Sequence, residues 1–272
     1  MGQGACPRVP SGTKGQAPCP GIWEVLEMEL TVLGAYGPYP SAGKACSGYL
    51  LQKDGFNLLM ECGNGVLSRL QYHIDLTELD AVLVSHLHAD HISDIFIMRY
   101  ALQISRESKP NLKKLNIYLP GEPVEERARF VENDFMDYHN IPMADKELKV
   151  GPFSVSFLET IHPIPCYAMK IESDGKKLVY SADTEYFAAL ESFASNATLF
   201  ICEANYQNKE IARSLPNHLS AAQAAGIALN ANTEKMIMTH LSPRHDTDVS
   251  LKEAREVFGE SYIAIEGETW SL

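Results

Sequence analysis

The segment Ser85-His86-Leu87-His88-Ala89-Asp90-His91 carries three imidazoles and one carboxylate within six residues. It follows the apolar run Ala81–Val84, which predicts a short buried strand, and it precedes a helix predicted over 93–107. Because side chains alternate along an extended chain, its first two histidines can point to one place, while its last two ligands come after the turn. Imidazole and carboxylate together suit zinc, manganese or iron. The segment therefore predicts a metal site at the end of a strand.

Three further residues with metal-binding side chains each follow a predicted strand: His162, Asp183 and His240. Those strands are predicted over 153–160, 176–181 and 235–239. In open α/β sheets, functional sites gather beyond the carboxyl ends of the strands, so these ends can converge on one pocket. The pocket would then offer seven ligands, which is enough for two divalent cations. We expect zinc, with manganese and iron(II) as alternatives.

The seven side chains divide into two ligand sets that share one carboxylate. The first set is His86, His88 and His162, the second is Asp90, His91 and His240, and Asp183 bridges the two ions. Two cations about 4 Å apart polarise a substrate oxygen and lower the pKa of a bridging water toward about 7, which gives hydroxide as the nucleophile. The ligand set thus predicts a metal-dependent hydrolase.

Strands and helices alternate irregularly along the chain, which predicts an α/β fold with mixed sheets. Asp-Gly pairs at 54–55 and 174–175 predict two hairpins. Ser220, with Gln223 three residues later, predicts a helix start, and Asp248 or Ser250 is expected to cap the last helix. The other predicted strands are 27–33, 48–52, 56–61, 80–85, 115–119, 166–172, 198–203 and 261–265, and the other predicted helices are 64–74, 123–138, 185–194, 219–230 and 249–258.

The composition is that of an ordinary globular protein, since 45% of the 272 residues are apolar and 21% are charged. We expect residues 1–26 to be an irregular extension and 27–272 to be the hydrolase domain. The net charge of −12 disfavours a broad basic surface for nucleic acid. There is no apolar stretch of membrane-spanning length. The six cysteines form no CxxC pair, which favours a reducing, cytoplasmic compartment.

Over about residues 28–272, the chain resembles the metallo-β-lactamase-fold hydrolase superfamily, through the His86–His91 motif and the later His162, Asp183 and His240. This resemblance implies a four-layered αββα sandwich, two mixed β-sheets flanked by helices, with the metal site at one edge. Within the superfamily, the chain is most similar to the ribonuclease Z-like branch. The stretches that carry this closer similarity are Tyr180–Thr184, Cys202–Asn205, His218–Ser220 and Thr239–Arg244.

Three departures from the ribonuclease Z pattern are informative. Those enzymes usually insert a long tRNA-gripping arm between the third histidine and the bridging aspartate, whereas here only 21 residues separate His162 from Asp183. The family commonly has Asp-Cys-Gly where this chain has Glu61-Cys62-Gly63, and His-Ser-Thr where it has His218-Leu219-Ser220. Without room for an arm, binding of a long tRNA is disfavoured.

Two residues outside the seven ligands are candidates for proton transfer. His218 lies at a predicted helix start and is free to act as general acid for the leaving group. Glu203 is expected to orient His218 or to hold it protonated. Asp90 is expected to be catalytic as well as a ligand. His245, just past Pro243, is interpreted as a surface residue.

We therefore expect a phosphodiesterase that acts on a small nucleotide or an RNA end. The alternative on the same metal site is hydrolysis of a carboxylic ester, lactone or thioester. A metal-bound sensor or structural module is disfavoured because a structural zinc needs only four ligands. A diiron redox protein would need a flavin domain, of which the sequence carries no sign. We expect a homodimer, and no attachment to membranes.

Overall fold

Two seven-stranded mixed β-sheets form the centre of the fold. They are seen in a computed structural model of the chain that describes residues 27–142, 146–211 and 216–272. The predicted N-terminal extension, 1–26, lies outside the described residues. Within the described ranges, no helix combines the length and the apolar character needed to cross a bilayer.

The first sheet has the strand order β14-β1-β2-β3-β4-β5-β6. Antiparallel pairing joins β14, β1, β2 and β3, and parallel pairing joins β3, β4, β5 and β6. Its strands are β1 (Glu29–Gly34), β2 (Gly48–Lys53), β3 (Phe56–Met60), β4 (Ala81–Leu83), β5 (Leu115–Leu119), β6 (Met136–Asn140) and β14 (Thr269–Ser271).

The second sheet has the order β13-β12-β11-β10-β9-β8-β7 and the same division of pairing. Strands β7 to β10 are antiparallel, and β10 to β13 are parallel. Its strands are β7 (Leu148–Val150), β8 (Phe153–Glu159), β9 (Tyr167–Ser173), β10 (Lys176–Tyr180), β11 (Leu199–Glu203), β12 (Met236–Thr239) and β13 (Ser261–Ile263).

Seven α-helices are found in the described ranges, and the two longest, α2 and α6, cover the outer faces of the two sheets. The helices are α1 (Val66–Leu70), α2 (Ala89–Ser108), α3 (Val124–Arg127), α4 (Ala188–Phe193), α5 (Asn208–Ile211), α6 (Ala221–Asn230) and α7 (Thr247–Arg255). A short 3₁₀ helix, Leu76–Glu78, precedes β4.

Three apolar clusters define the layers. The inner cluster joins the facing sides of the two sheets through residues such as Leu58, Phe153 and Leu178. A second cluster packs α1 and α2 onto the first sheet, and a third packs α4, α6 and α7 onto the second sheet. Because both faces of each sheet are covered, the strands are apolar on both sides, as in the wholly buried β11. The predicted four-layered αββα sandwich is confirmed.

Most predicted elements are present, including both Asp-Gly hairpins and the capping box of Ser220 and Gln223. The helix predicted over 123–138 is wrong, because only Val124–Arg127 is helical and Met136–Asn140 is a strand. Pairing with the open edge of β5 prevails there over the helix propensity of the Glu- and Arg-rich segment. The last helix is capped by Asp246, so the predicted caps Asp248 and Ser250 are wrong.

The strand directions place the predicted site residues at one edge of the sandwich and the two Asp-Gly turns at the other. The carboxyl ends of the parallel strands, and of β8, all lie at one edge of the sandwich. The two Asp-Gly turns lie at the other edge, where the buried ammonium of Lys53 pairs with Asp174 at 2.7 Å and links the two sheets. Site residues that follow β3, β4, β8, β10, β11 and β12 are therefore brought to the same edge.

Removal of side-chain volume from the inner cluster is expected to destabilise the fold strongly. Leu178→Ala should lower the free energy of unfolding by about 2–5 kcal/mol, because Leu178 is fully buried between the sheets. The matched control is Leu229→Ala on α6, where the side chain is 52% exposed and the change should stay within about 0.5 kcal/mol. Denaturant unfolding at a fixed metal concentration measures both. Equal losses would contradict the assignment of Leu178 to the core.

Candidate metal centre

The site is built from loops that leave the strands through unusual backbone conformations. Glu61, Ala182 and His240, just after β3, β10 and β12, have φ values of 61°, 52° and 51°. Left-handed backbone is uncommon for residues other than glycine, and it persists where the surroundings fix it. These turns direct the residues beside them toward a common point.

The first predicted ligand set converges closely. The Nδ1 atom of His88 lies 3.1 Å from His86 Nε2 and 3.0 Å from His162 Nε2. Ligands at about 2.0–2.1 Å from a tetrahedral zinc ion lie about 3.3 Å from one another, so this spacing fits one cation. Burial, together with the neighbouring His91, lowers the pKa of His86, and burial lowers the pKa of His162 to about 4. The rings are thus neutral and can offer lone pairs to a cation.

The second predicted set surrounds two carboxylates. The Nε2 atom of His240 lies 3.1 Å from Asp90 Oδ2 and 3.2 Å from Asp183 Oδ2. The Nε2 atom of His91 lies 3.5 Å from one oxygen of each of the same two carboxylates. Asp183 also lies 3.7 Å from His86 Nε2, so it stands between the two sets. The structure therefore brings all seven predicted ligands together.

Two buried atoms of the cluster fit a metal in particular. His91 Nε2 and Asp183 Oδ1 have no hydrogen-bond partner among the described residues. Burial opposes ionisation of Asp183, but His240 and His91 outweigh it and hold the pKa of Asp183 well below its usual value. Burial also opposes charge on His91, yet Asp183 and Asp90 raise the pKa of His91 well above normal. The buried carboxylates of Asp90 and Asp183 therefore need a compensating positive charge. A proton on His91 or a bound cation can supply it.

Outer hydrogen bonds fix the orientation of the ligand rings. Glu61, fully buried, accepts a hydrogen bond from His91 Nδ1 at 3.0 Å and another from the Ser85 backbone N–H at 2.8 Å. The Nδ1 atom of His86 lies 2.9 Å from the Ser85 hydroxyl. Glu61 therefore keeps a proton on His91 Nδ1, which leaves His91 Nε2 to face the carboxylates of Asp90 and Asp183.

His218 and Glu203 form a pair beside the second set. Glu203 is fully buried and accepts hydrogen bonds from His218 Nδ1 at 2.9 Å, Thr184 N–H at 2.7 Å and Leu219 N–H at 3.1 Å. Burial disfavours charge on His218, but Glu203 outweighs burial and raises the pKa of His218 to about 9 in the absence of metal. Since His218 is also close enough to Asp183 and His240 to complete a third group of metal-binding atoms, its geometry suits both proton donation and ligation.

A groove opens beside the cluster. It has a volume of about 280 Å³ and is lined by residues that include Tyr39, Cys46, Asn64, Asp90 and Ser93. A larger cavity of about 390 Å³ lies at the opposite edge of the first sheet, between the 3₁₀ helix and the turn before β8, and none of the predicted site residues lines it. Of these two cavities, the smaller groove is the one that reaches a predicted site residue, Asp90.

Sequence reasoning missed three contacts of the site. A Cβ atom on Gly37 would lie 2.0 Å from His240 Nε2, so only glycine allows this backbone to pass the ring. His245, interpreted as a surface residue, is largely buried and bonds to Glu210 at 2.9 Å. Asn205, recognised only as part of a motif, contacts His240. The glycine-rich segment Gly34-Ala35-Tyr36-Gly37, which follows β1, is a local signal of the first of these contacts.

A family sequence model and a bacterial relative connect this chain to known proteins. The model of the beta-lactamase superfamily domain matches residues 56–241, more than half of the chain. The chain belongs to the beta-lactamase superfamily. In this superfamily, the probable metallo-hydrolase YhfI of Bacillus subtilis is 36% identical over 247 residues, covering 89% of this chain and 99% of YhfI. Its crystal structure, named as a metallo-beta-lactamase fold protein, superposes with a TM-score of 0.85 over 91% of this chain and 100% of that chain.

More distant superfamily members carry the name ribonuclease Z. The Archaeoglobus fulgidus protein of that name is 25% identical over 296 residues, covering 87% of this chain and 95% of its own length. The crystal structure of the short form of human tRNase Z is 20% identical with a TM-score of 0.71, covering 90% of this chain and 99% of that chain, which shows a common fold. In this chain the interval from His162 to Asp183 contains only the hairpin of β9 and β10 with short connections, so the predicted lack of an arm there is confirmed.

Superfamily membership and the B. subtilis relative confirm the prediction of a metal-dependent hydrolase at the level of enzyme class. The histidine and aspartate cluster is suited to metal binding. The role of each of the seven residues as a ligand stays a prediction, as does the domain range 27–272.

Loss of the Glu61 carboxylate is expected to weaken the second cation site. Glu61→Gln presents an amide that can turn its donor toward His91, so the tautomer is no longer fixed and affinity for the more weakly held cation should fall by about 10–100-fold. Competition against a fluorescent chelator measures this affinity.

The matched control for Glu61 is Glu266→Gln, which changes another buried carboxylate that pairs with Arg69 at 3.1 Å outside the ligand cluster. Its affinity for both cations should equal that of the parent protein. Unchanged affinity in Glu61→Gln, or an equal loss in Glu266→Gln, would contradict the orienting role of Glu61.

Proposed function

We propose that this protein is a dinuclear metal-dependent phosphodiesterase that acts on a small nucleotide or an RNA-end phosphodiester. The observation that carries the proposal is the joint placement of seven metal-binding side chains, arranged around a shared Asp183, with the His218–Glu203 pair beside them. A hydrolase of phosphodiesters needs charge stabilisation at the phosphoryl oxygens and a proton for the leaving group, and this set of residues offers both.

The proposed ions are two zinc ions, with manganese and iron(II) as alternatives. His86, His88 and His162 would hold the first ion, Asp90, His91 and His240 would hold the second, and Asp183 would be shared. Five imidazoles and two carboxylates suit zinc, because imidazole is among its preferred ligands. When bound, such a pair supplies Lewis-acid polarisation and lowers the pKa of water.

The proton chemistry is assigned to His218, Glu203 and Asp90. With Nδ1 bonded to Glu203, the Nε2 atom of His218 is the atom that donates a proton to the leaving oxygen. Glu203 cannot readily move, because it also holds the backbone at Thr184 and Leu219. Asp90, largely buried beside the groove, would orient the incoming water in addition to its role as a ligand.

A small substrate is supported by charge and by shape. The chain has a net charge of −12, which opposes long polyanions, whereas two divalent cations add +4 at one point and favour a compact anion. The groove of about 280 Å³ lies at the small end of the range for ligand pockets, which favours a small molecule. The ribonuclease Z name of the A. fulgidus relative supports phosphodiester chemistry, and the lack of an arm disfavours a long tRNA.

A homodimer in the cytoplasm completes the proposal. Ile97, Tyr100 and Ile104 form an exposed apolar face along α2, which supports an association between chains. Cys46, Cys62, Cys166 and Cys202 are buried free thiols, which supports a reducing compartment.

Phosphodiester hydrolysis that depends on two metals is the first expected outcome. The purified protein should contain about two metal ions per chain and should hydrolyse bis-p-nitrophenyl phosphate much faster than p-nitrophenyl acetate, because the site neutralises a phosphodiester anion. Chelation should abolish turnover, and added zinc or manganese should restore it. Metal analysis by mass spectrometry and release of p-nitrophenolate give the readouts.

Three other outcomes of these assays would favour a different function or contradict the proposed substrate. Faster turnover of the acetate ester would favour the ester, lactone or thioester alternative. One tightly held ion and no turnover would favour a structural or sensor module. Robust cleavage of precursor tRNA at physiological salt would contradict the restriction to small substrates.

The loss of activity on removal of the His218 imidazole is expected to depend on the leaving group. In a series of aryl phosphodiesters whose phenols rise in pKa, His218→Ala should lose about 100-fold or more with the poorest leaving group and far less with nitrophenol, because only the former needs a proton. The slope of log kcat against phenol pKa should therefore steepen.

His139→Ala is the matched control, because His139 is an exposed imidazole on β6, away from the cluster. It should retain the parent slope. Equal losses across the series for His218→Ala would contradict the acid role, and loss of a metal ion from that variant would assign His218 as a ligand instead.

A further inference from the structure

Asn205 lies where three loops of the site meet. It follows β11 and is 6% exposed. Its side-chain Nδ2 donates hydrogen bonds to the backbone carbonyl of Gly37, 2.9 Å away in the loop after β1, and to that of His240, 2.8 Å away after β12. One amide group therefore joins the loops after β1, β11 and β12.

His240, whose carbonyl accepts the hydrogen bond from Asn205, is constrained by its own backbone and by its neighbours. Its φ of 51° is left-handed, a conformation that a non-glycine residue keeps only when its surroundings hold it. Gly37 packs directly against the ring, because a Cβ atom there would overlap it. The ring also lies nearly parallel to the rings of His91 and His218, with centroids 5.4 and 5.1 Å away. A small rotation of the His240 backbone would therefore redirect its Nε2 atom.

The backbone of Asn205 is itself braced. Its carbonyl accepts a hydrogen bond from His245 Nδ1 at 3.0 Å, and His245 Nε2 lies 2.9 Å from a Glu210 carboxylate oxygen. The other Glu210 oxygen accepts from the Gln207 backbone N–H at 2.8 Å. Asn205 is thus a fixed point from which the two neighbouring loops are held.

We infer that Asn205 is a positioning residue, whose amide holds His240 in the backbone conformation that aims His240 Nε2 at Asp90 and Asp183. This inference rests on the proposed function, because it takes His240 as a ligand of the second ion. Asn205 is not one of the seven side chains proposed as ligands, and its amide bonds to the Gly37 and His240 carbonyls. Its effect is to set the geometry of one ligand of one ion, so its loss should affect the two cation sites unequally.

The test is the stepwise metal affinity of full-length Asn205→Ala. Competition against a fluorescent chelator should show the second, weaker cation bound about 10–100-fold more weakly, with the first cation unchanged. Cobalt(II) titration gives an independent readout, because the visible absorption of the second cobalt ion should change while that of the first is retained.

Two further variants separate positioning from general stability. Asn57→Ala is the matched control, because Asn57 also donates from Nδ2 to a backbone carbonyl, that of Glu78 at 2.8 Å, but at the opposite edge. It should leave both affinities at parent values. Gly37→Ala crowds the His240 ring while keeping Asn205, so it should reproduce the selective loss at the second site even if Asn205→Ala folds poorly.

The outcomes distinguish this inference from the proposed function. Fewer than two ions in the parent protein would overturn the proposed function before any variant is compared. With two ions in the parent, unchanged second-site affinity in Asn205→Ala and Gly37→Ala would overturn the positioning role alone. Equal weakening at both sites, or the same loss in Asn57→Ala, would also overturn it, since the contacts of Asn205 reach His240 and none of the first ligand set.

Discussion

Asp90 and Asp183 are held among five imidazoles at one edge of the sandwich, and Asp183 is almost wholly excluded from water. A buried carboxylate costs several kcal/mol unless opposite charge and hydrogen bonds compensate it. Here the compensating groups come from the ends of β4, β8 and β12, so the loops that carry them must meet where the carboxylates lie. The need to neutralise this pair therefore dictates how both sheets terminate at this edge.

That constraint explains the backbone around the cluster. Gly63 has no room for a side chain, because a Cβ atom there would lie 1.8 Å from the Asp90 carbonyl oxygen. A Cβ atom on Gly37 would lie 2.0 Å from His240 Nε2. The turns at Glu61, Ala182 and His240 adopt left-handed conformations. Such backbone strain is tolerated where many contacts fix the chain. The same contacts keep these loops rigid, so the metal-binding side chains on them can move little.

That the seven metal-binding side chains come together could be predicted from sequence, because the segments that carry them follow apolar runs and a local pattern therefore reports their position in the fold. The strand Met136–Asn140 could not be predicted from sequence, because its residues form a strand only by pairing with β5. The roles of Asn205 and His245 were hidden for a similar reason. Asn205 acts on residues 168 and 35 positions away, and no periodicity in its own segment records those contacts. Asp246, and neither Asp248 nor Ser250, caps the last helix, because its side chain accepts a hydrogen bond from the Asp248 backbone N–H.

The division of ligands between the sheets has a consequence for stability. Under the proposed assignment, the loop after β4 on the first sheet supplies His86 and His88 to one ion, and the first turn of α2 supplies Asp90 and His91 to the other. The second sheet supplies His162 and His240, and shares Asp183 between both ions. Each cation would therefore join the two sheets at an edge where carboxylates, rather than apolar side chains, face one another. Because metal binding to the folded state alone adds to its stability, the same ions would serve catalysis and hold this edge of the sandwich closed.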